Sequence, residues 1–359
     1  MRDERKTLTR CTIESEHRHL GSTGEFSGLL NAVATAVKII SNQVSRGALA
    51  GAAGSAGVAR QGYGAAQKKL DLISNEVMVG ETEWTGYLAA MASEEMEDIY
   101  PVPATGRRGK YLLVFDPLDG PGGIDASVSV GTIFSILRSP DPAAEPRAEH
   151  FLQPGTAQVC AGFALYGPST MLILTTGDGV DGFTLDRDIG AFVLTHPQLR
   201  IPEDCAEFAI NASNERFWEP PVRRYIQECL AGGTGPRGRD FNMRWIASLV
   251  AETYRILTRG GVFLYPKDSK EPPRPGRLRL MYECNPVSFI VEQAGGGAST
   301  GRGRVMEIQP ADLHQRVPLI LGSRNEVERI ELYHRDQARA EESAFDDSLF
   351  NVRSLFRTG

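Results

Sequence analysis

At 359 residues, with 41% hydrophobic and only 8% aromatic content, the chain is long enough to bury a sizeable core and to hold two domains in one globular unit. A formal net charge of −6 and a pI near 5.7 argue against a nucleic-acid binder, and no apolar run is long enough to span a bilayer. The charged start MRDERKTLTR has no apolar signal-peptide core, which predicts a cytoplasmic protein, and five scattered cysteines without C-x-x-C spacing predict reduced structural thiols.

The first predicted element is a long helix from Ser22, with Phe26, Leu29, Leu30, Val33, Val37, Ile40 and Val44 at three- and four-residue spacing behind a Ser22/Glu25 capping box. Its start, with the Thr23-Gly24 turn, fits either a capped core helix or an anion seat. Residues 47–66 are almost all small and read as a mobile loop, a lid candidate because a carboxylate-bearing helix follows. That helix, KKLDLISNEVMVGETEWTGYLAAM, carries Asp71 near its start and an apolar stripe of Leu70, Ile73, Val77, Trp84, Leu88 and Met91. The acidic run Ser93–Asp98 after it reads as a solvated face.

Residues 110–138, KYLLVFDPLDGPGGIDASVSVGTIFSILR, form the centre of the chain. Tyr111–Phe115 is a strand buried on both faces, and it ends in two acids, Asp116 and Asp119. Pro117 and Gly120 force a tight turn there, which is either an ordinary Asp-Pro turn or a place where carboxylates and backbone N–H groups converge on a divalent cation and a phosphate. A surface loop, 139–150, leads to strands between Gln158 and Thr176 and a β-meander, with a boundary near His196-Pro197. Beyond it come strand FAINASN, helices FWEPPVRRYIQECL and RWIASLVAETYRILTRG, strand GGVFLYP, and then strand, helix, strand. Glu283 stands at the start of that last helix, with Pro286 in its first turn.

The stretches TGEFSGLLNAVATAVK, KKLDLISNE, GKYLLVFDPLDG, VSVGTIFSILR, GFALYGPSTM, RWIASLVAE, GRLRLMYECNPVSFIVEQAGG and DLHQRVPLILGS, in that order from about Leu8 to Tyr333, resemble class I fructose-1,6-bisphosphatase of the bacterial type. The resemblance implies an α/β (α+β layered) sugar-phosphatase fold whose two αβ domains, 1–197 and 198–335, form an α-β-α-β-α sandwich, followed by a tail, 336–359. It implies a homotetramer that uses Mg²⁺, or Mn²⁺, to hydrolyse the 1-phosphate of fructose 1,6-bisphosphate in gluconeogenesis or the Calvin cycle. Relatives that also act on sedoheptulose 1,7-bisphosphate, or that keep the fold only as a regulatory subunit, are the alternatives.

Carboxylates suit these hard cations. By similarity, Glu94, Asp116, Asp119 and Glu283, with the Leu118 carbonyl, ligate metal, while Asp71 and Glu95 orient and deprotonate the water. The turn Asp119, Gly120, Pro121, Gly122 cradles the 1-phosphate. Asn211, Tyr265 and Arg277 hold the 6-phosphate and sugar, and Arg244 reaches into the neighbouring subunit. Thr23, Gly24, Glu25, Ser27, Lys110, Tyr111 and Arg138 match the family's AMP site. The chain departs from the family pattern in having Pro121-Gly122-Gly123 for Ser-Ser-Asn, Ala65 for a lid acid, Asn214 and Trp245 for tyrosines, and Arg277 for lysine.

Overall fold

The computed structural model describes residues 5–16, 24–47, 65–103, 108–272 and 275–354. Its frame is an eight-stranded sheet, in the order β2-β1-β3-β4-β5-β6-β7-β8, and a five-stranded sheet, in the order β10-β9-β11-β15-β13. The large sheet comprises β1 (Leu88–Ser93), β2 (Tyr100–Pro101), β3 (Tyr111–Asp119), β4 (Val130–Arg138), β5 (Cys160–Tyr166), β6 (Thr170–Thr175), β7 (Asp181–Asp186) and β8 (Ala191–His196). Only the β1–β3 pair in it is parallel, and β4 to β8 form the expected meander. The small sheet comprises β9 (Glu207–Ile210), β10 (Asn242–Met243), β11 (Val262–Tyr265), β13 (Gly297–Ser299) and β15 (Leu319–Gly322), while β12 (Leu278–Arg279) pairs with β14 (Arg316–Val317).

Side-chain alternation along the strands divides the core into layers. Phe134 of β4 faces α2 (Glu25–Arg46) and α3 (Ala65–Glu83), where it joins Leu29, Val33, Ile40 and Met78. Its neighbour Ile133 faces the opposite way, toward α5 (Leu249–Arg259) and α6 (Asn285–Gln293), which fill the space between the sheets with Val250, Ile256, Val287 and Ile290. From the other side Phe263 of β11 enters the same cluster, whereas Val262 and Leu264 face outward onto α4 (Pro220–Leu230) and α7 (Arg324–Ser354). The order is therefore α-β-α-β-α, the α/β sugar-phosphatase arrangement. No helix among the described residues is long and apolar enough to cross a membrane. The five cysteines are free thiols, four of them buried.

Several elements differ from expectation. The first is α1 (Leu8–Glu16), whose charged sequence shows little amphipathic pattern, and α2 begins at Glu25 behind Gly24 at φ 72° with no side-chain cap. Ser22 and most of the expected lid, residues 48–64, lie outside the described residues. The helix through Met91 instead ends at Glu83; Gly86, at φ 73°, turns the chain, Trp84 is 74% exposed, and LAAMAS becomes strand β1. Helix α5 starts five residues later than Arg244 because Ala247 takes φ 61° and Ser248 caps the first turn. Glu283 lies in a π-helical turn, Leu280–Cys284, ahead of α6.

Candidate metal and phosphate site

Strand β1 ends at Ser93, opposite Phe115 of its parallel neighbour β3, so the acids that follow β1 emerge beside those in the last residues of β3. The N–H of Glu94 donates to the Phe115 carbonyl at 3.1 Å, which holds the two ends in line. Residues three apart on a regular strand face opposite ways, but the ladder to β4 is irregular between Asp116 and Asp119, and this brings both carboxylates to one side. Gly120 then turns the chain at φ 74°, a conformation that other residues rarely adopt; a Cβ there would stand 3.0 Å from that of Ser248.

Glu283, delivered by the π-helical turn, closes the group: carboxylate oxygens of Asp116, Asp119 and Glu283 all lie within 4.8 Å of one another, and all three residues are buried. Asp116 accepts the Leu118 N–H at 2.9 Å, and Glu283 accepts the Arg279 N–H at 2.6 Å. Asp119 accepts from the Val250 N–H at 3.0 Å and the Ser248 hydroxyl at 3.3 Å, at the N-terminus of α5. Burial pushes Asp116 well above the usual carboxylate range, helped by its two acidic neighbours. Burial likewise raises Asp119 to about 6 and Glu283 to about 7, against the hydrogen bonds that favour their charged forms. Three hard oxygen donors crowded out of water fit a divalent cation, whose charge offsets the cost of holding them buried and, for Asp116 and Glu283, the repulsion of their acidic neighbours.

Asp71, on α3, is buried with Oδ1 lacking a partner among the described residues, and burial followed by the charge of Glu95 raises it to about 7. Glu95 itself is exposed, its N–H bonded to the Ser93 hydroxyl at 3.3 Å. Glu94 does not join the triad: its carboxylate is ion-paired to the Arg279 guanidinium. The sequence reading missed Arg279, which β12 holds four residues before Glu283; nothing local in GRLRLMYE marks it as the partner of an acid far upstream.

The turn after Asp119 continues as a 3₁₀ helix, Pro121–Ala126, with Gly122 exposed. A separate recess is lined by Asn211, Asn214, Trp218, Trp245, Tyr265 and Asp268, among others. Trp245 stacks on Phe263 with rings 3° from parallel and centroids 5.9 Å apart. Asn211 spends its amide oxygen on the Ser213 N–H and hydroxyl, at 3.2 and 2.6 Å. Arg277 is bound to Asp268 at 3.2 Å, and Arg244 points outward beside Glu207 at 3.5 Å.

The expected nucleotide residues share one corner, except Thr23, which lies outside the described residues. Gly24 precedes α2, Lys110 pairs with Glu25 at 2.8 Å, and Arg138 sits 5.7 Å over the Tyr111 ring. The Ser27 N–H donates to a carboxylate, Glu16, at 3.3 Å, while the Ser27 hydroxyl is buried and without a partner among the described residues.

Residues 6–197 match the family described as "Fructose-1-6-bisphosphatase, N-terminal domain", and residues 201–335 match its C-terminal domain. The chain is 60% identical over 351 residues to "Fructose-1,6-bisphosphatase class 1" of Hydrogenophilus thermoluteolus, covering 98% of this chain and 97% of that one. It is 57% identical over 352 residues to "Fructose-1,6-bisphosphatase class 1 3" of Methylibium petroleiphilum, covering 98% of both. The crystal structure of holo Leishmania major fructose-1,6-bisphosphatase superposes with a TM-score of 0.83 at 39% identity, over 92% of this chain and 99% of that one. The apo form gives 0.80 at 38%, with the same coverage.

Proposed function

Because the chain belongs to the class I fructose-1,6-bisphosphatase family, a family of metal-dependent phosphoric monoester hydrolases, we propose that it releases the 1-phosphate of fructose 1,6-bisphosphate with Mg²⁺, or Mn²⁺, as its cation. The observation that carries this reading is the buried triad of Asp116, Asp119 and Glu283. Glu94, which the structure pairs with Arg279, and the Leu118 carbonyl would complete the ligand set.

Held by these residues, a divalent cation would supply charge neutralisation for the transferring phosphoryl group and order for the attacking water. The chain supplies the rest. Asp71, held near neutral titration by burial and Glu95, takes the water's proton, and Glu95 orients that water. Backbone donors of Gly120 and Gly122 hold the scissile phosphate, and Asn211, Tyr265 and Arg277 hold the sugar and its far phosphate.

The division into a metal-bearing half, 1–197, a sugar-binding half, 198–335, and a tail, 336–359, belongs to the same proposal. So do a homotetramer in which the outward Arg244 enters a neighbouring site, a cytoplasmic location, a role in gluconeogenesis or carbon fixation, and AMP as an inhibitor at the α2 corner. Phosphate release from fructose 1,6-bisphosphate and sedoheptulose 1,7-bisphosphate, with and without Mg²⁺, tests the core of it. Metal-dependent release from the fructose ester is expected; none from either sugar overturns the reading.

A further inference from the structure

Strand β3 takes one step more than β4 between its two acids. Asp116 stands opposite Ile133 and Asp119 opposite Gly131, so Pro117 and Leu118 together face a single residue, Thr132. A bulge of this kind takes backbone groups out of the ladder, and buried ones must find other partners. Both ends of the peptide between Pro117 and Leu118 have done so. Its N–H donates to the Asp116 carboxylate at 2.9 Å, and its carbonyl accepts the Thr132 hydroxyl at 2.8 Å.

Thr132 has a second partner. It pairs across the ladder with Ala164 of β5, and Tyr166, two residues further on the same face, brings its hydroxyl to 2.7 Å from that of Thr132. A carbonyl can only accept, so Thr132 gives its proton to Pro117 and Tyr166 must donate to Thr132. One unbroken chain of donors therefore runs from Tyr166 through Thr132 and a single peptide group to a member of the acidic triad. Both residues are buried on the sheet face that carries Val130, Phe134 and Ala164 against α2 and α3, an apolar layer where a hydroxyl without a partner is costly.

We infer, resting on the cation reading above, that Thr132 and Tyr166 are positioning residues that set the affinity of the triad for its divalent cation from outside the ligand set. They act through the peptide: fixing its plane aims the N–H that holds Asp116 and sets the direction in which the chain continues to Asp119.

The test is calorimetric titration of the full chain with Mn²⁺, without substrate, for wild type, Thr132→Val, Thr132→Ser and Tyr166→Phe. Thr132→Val keeps the side-chain shape but removes the hydroxyl, and is expected to raise the Mn²⁺ Kd about tenfold or more, the usual effect of losing a group that orients a metal ligand. Tyr166→Phe leaves the bond to Pro117 but frees Thr132 to turn, and weakens binding by about threefold or more, whereas Thr132→Ser keeps the hydroxyl and stays within about twofold. A lowered melting temperature with an unchanged Kd makes the pair merely structural and overturns the inference, as does a Thr132→Ser variant that binds as weakly as Thr132→Val. Should Thr132→Val fail to fold, Tyr166→Phe decides alone, and a Kd equal to that of wild type overturns the inference. A wild-type chain that binds no Mn²⁺ overturns the cation reading itself, before any variant is compared.

Discussion

The carboxylate of Asp119, at the end of β3, accepts the backbone N–H of Val250, in the first turn of α5, at 3.0 Å. One side chain therefore both belongs to the acidic triad and ties the large sheet to the helices between the sheets. Asp119→Asn keeps an acceptor oxygen for that bond but removes a full charge from the triad. Turnover is expected to fall roughly hundredfold or more, several kcal/mol of transition-state stabilisation, with the melting temperature little changed. A residual rate above about a tenth of wild type at saturating Mg²⁺ would sink the ligand assignment.

Cation binding has a readout that needs no catalysis. Relief of the repulsion among Asp116, Asp119 and Glu283 stabilises the folded chain, by ~2.7 kcal/mol at a hundredfold excess over Kd. Mn²⁺ or Mg²⁺ is expected to raise the melting temperature of wild type by a few degrees, and that of Glu283→Gln by much less. Equal shifts in both proteins place the cation elsewhere.

Pro121 opens the 3₁₀ turn after Asp119 and has no N–H to offer a phosphate held there. One charge-assisted hydrogen bond, worth roughly 1.5–3 kcal/mol, is missing. The double replacement Pro121→Ser with Gly123→Asn is expected to raise kcat/KM for fructose 1,6-bisphosphate about tenfold or more. Steady-state rates no higher than those of the starting chain refute this, all the more if that chain already turns over at ~10 s⁻¹.

At the α2 corner the Glu16 carboxylate occupies the Ser27 N–H that a nucleotide phosphate would use. AMP therefore competes with a tethered anion. Calorimetry is expected to find AMP binding in the millimolar range or weaker for wild type and roughly tenfold tighter for Glu16→Ala, a gain of ~1.4 kcal/mol. No binding by either protein removes the AMP site.

Glu219 is partly buried, which raises its pKa, yet His334, 3.7 Å away, and two hydrogen bonds from Arg302 prevail and hold it at about 2. A carboxylate depressed below its unfolded value contributes stability above pH ~4.5 and loses it as pH falls toward 2. In urea denaturation Glu219→Gln is expected to be less stable than wild type at pH 7, with the gap narrowing at pH 3. A gap that does not change with pH contradicts the assignment.

The sequence made Asp116 and Asp119 legible because strand pattern, Pro117 and Gly120 all act within a few residues of them. It left β1 hidden: a strand buried on both faces shows no alternation, and Leu-Ala-Ala-Met are good helix formers running on from a true helix. Positions such as Asn211, just after β9, and Tyr265, at the end of β11, drawn together beside one recess, came from family resemblance rather than any local period. Pairings such as Glu94 with Arg279 or Lys270 with Asn214 were invisible, since they depend on which distant strands dock side by side.

Synthesis runs from the N-terminus, so β3 and its two acids leave the ribosome long before Glu283 exists. A nascent chain that has reached His196 holds only part of the triad and none of the α5 donors that Asp119 uses. The acidic triad is thus an assembly checkpoint. It closes only when the second sheet has docked, so a chain that stops early or docks its halves wrongly keeps Asp116 and Asp119 but not the complete triad.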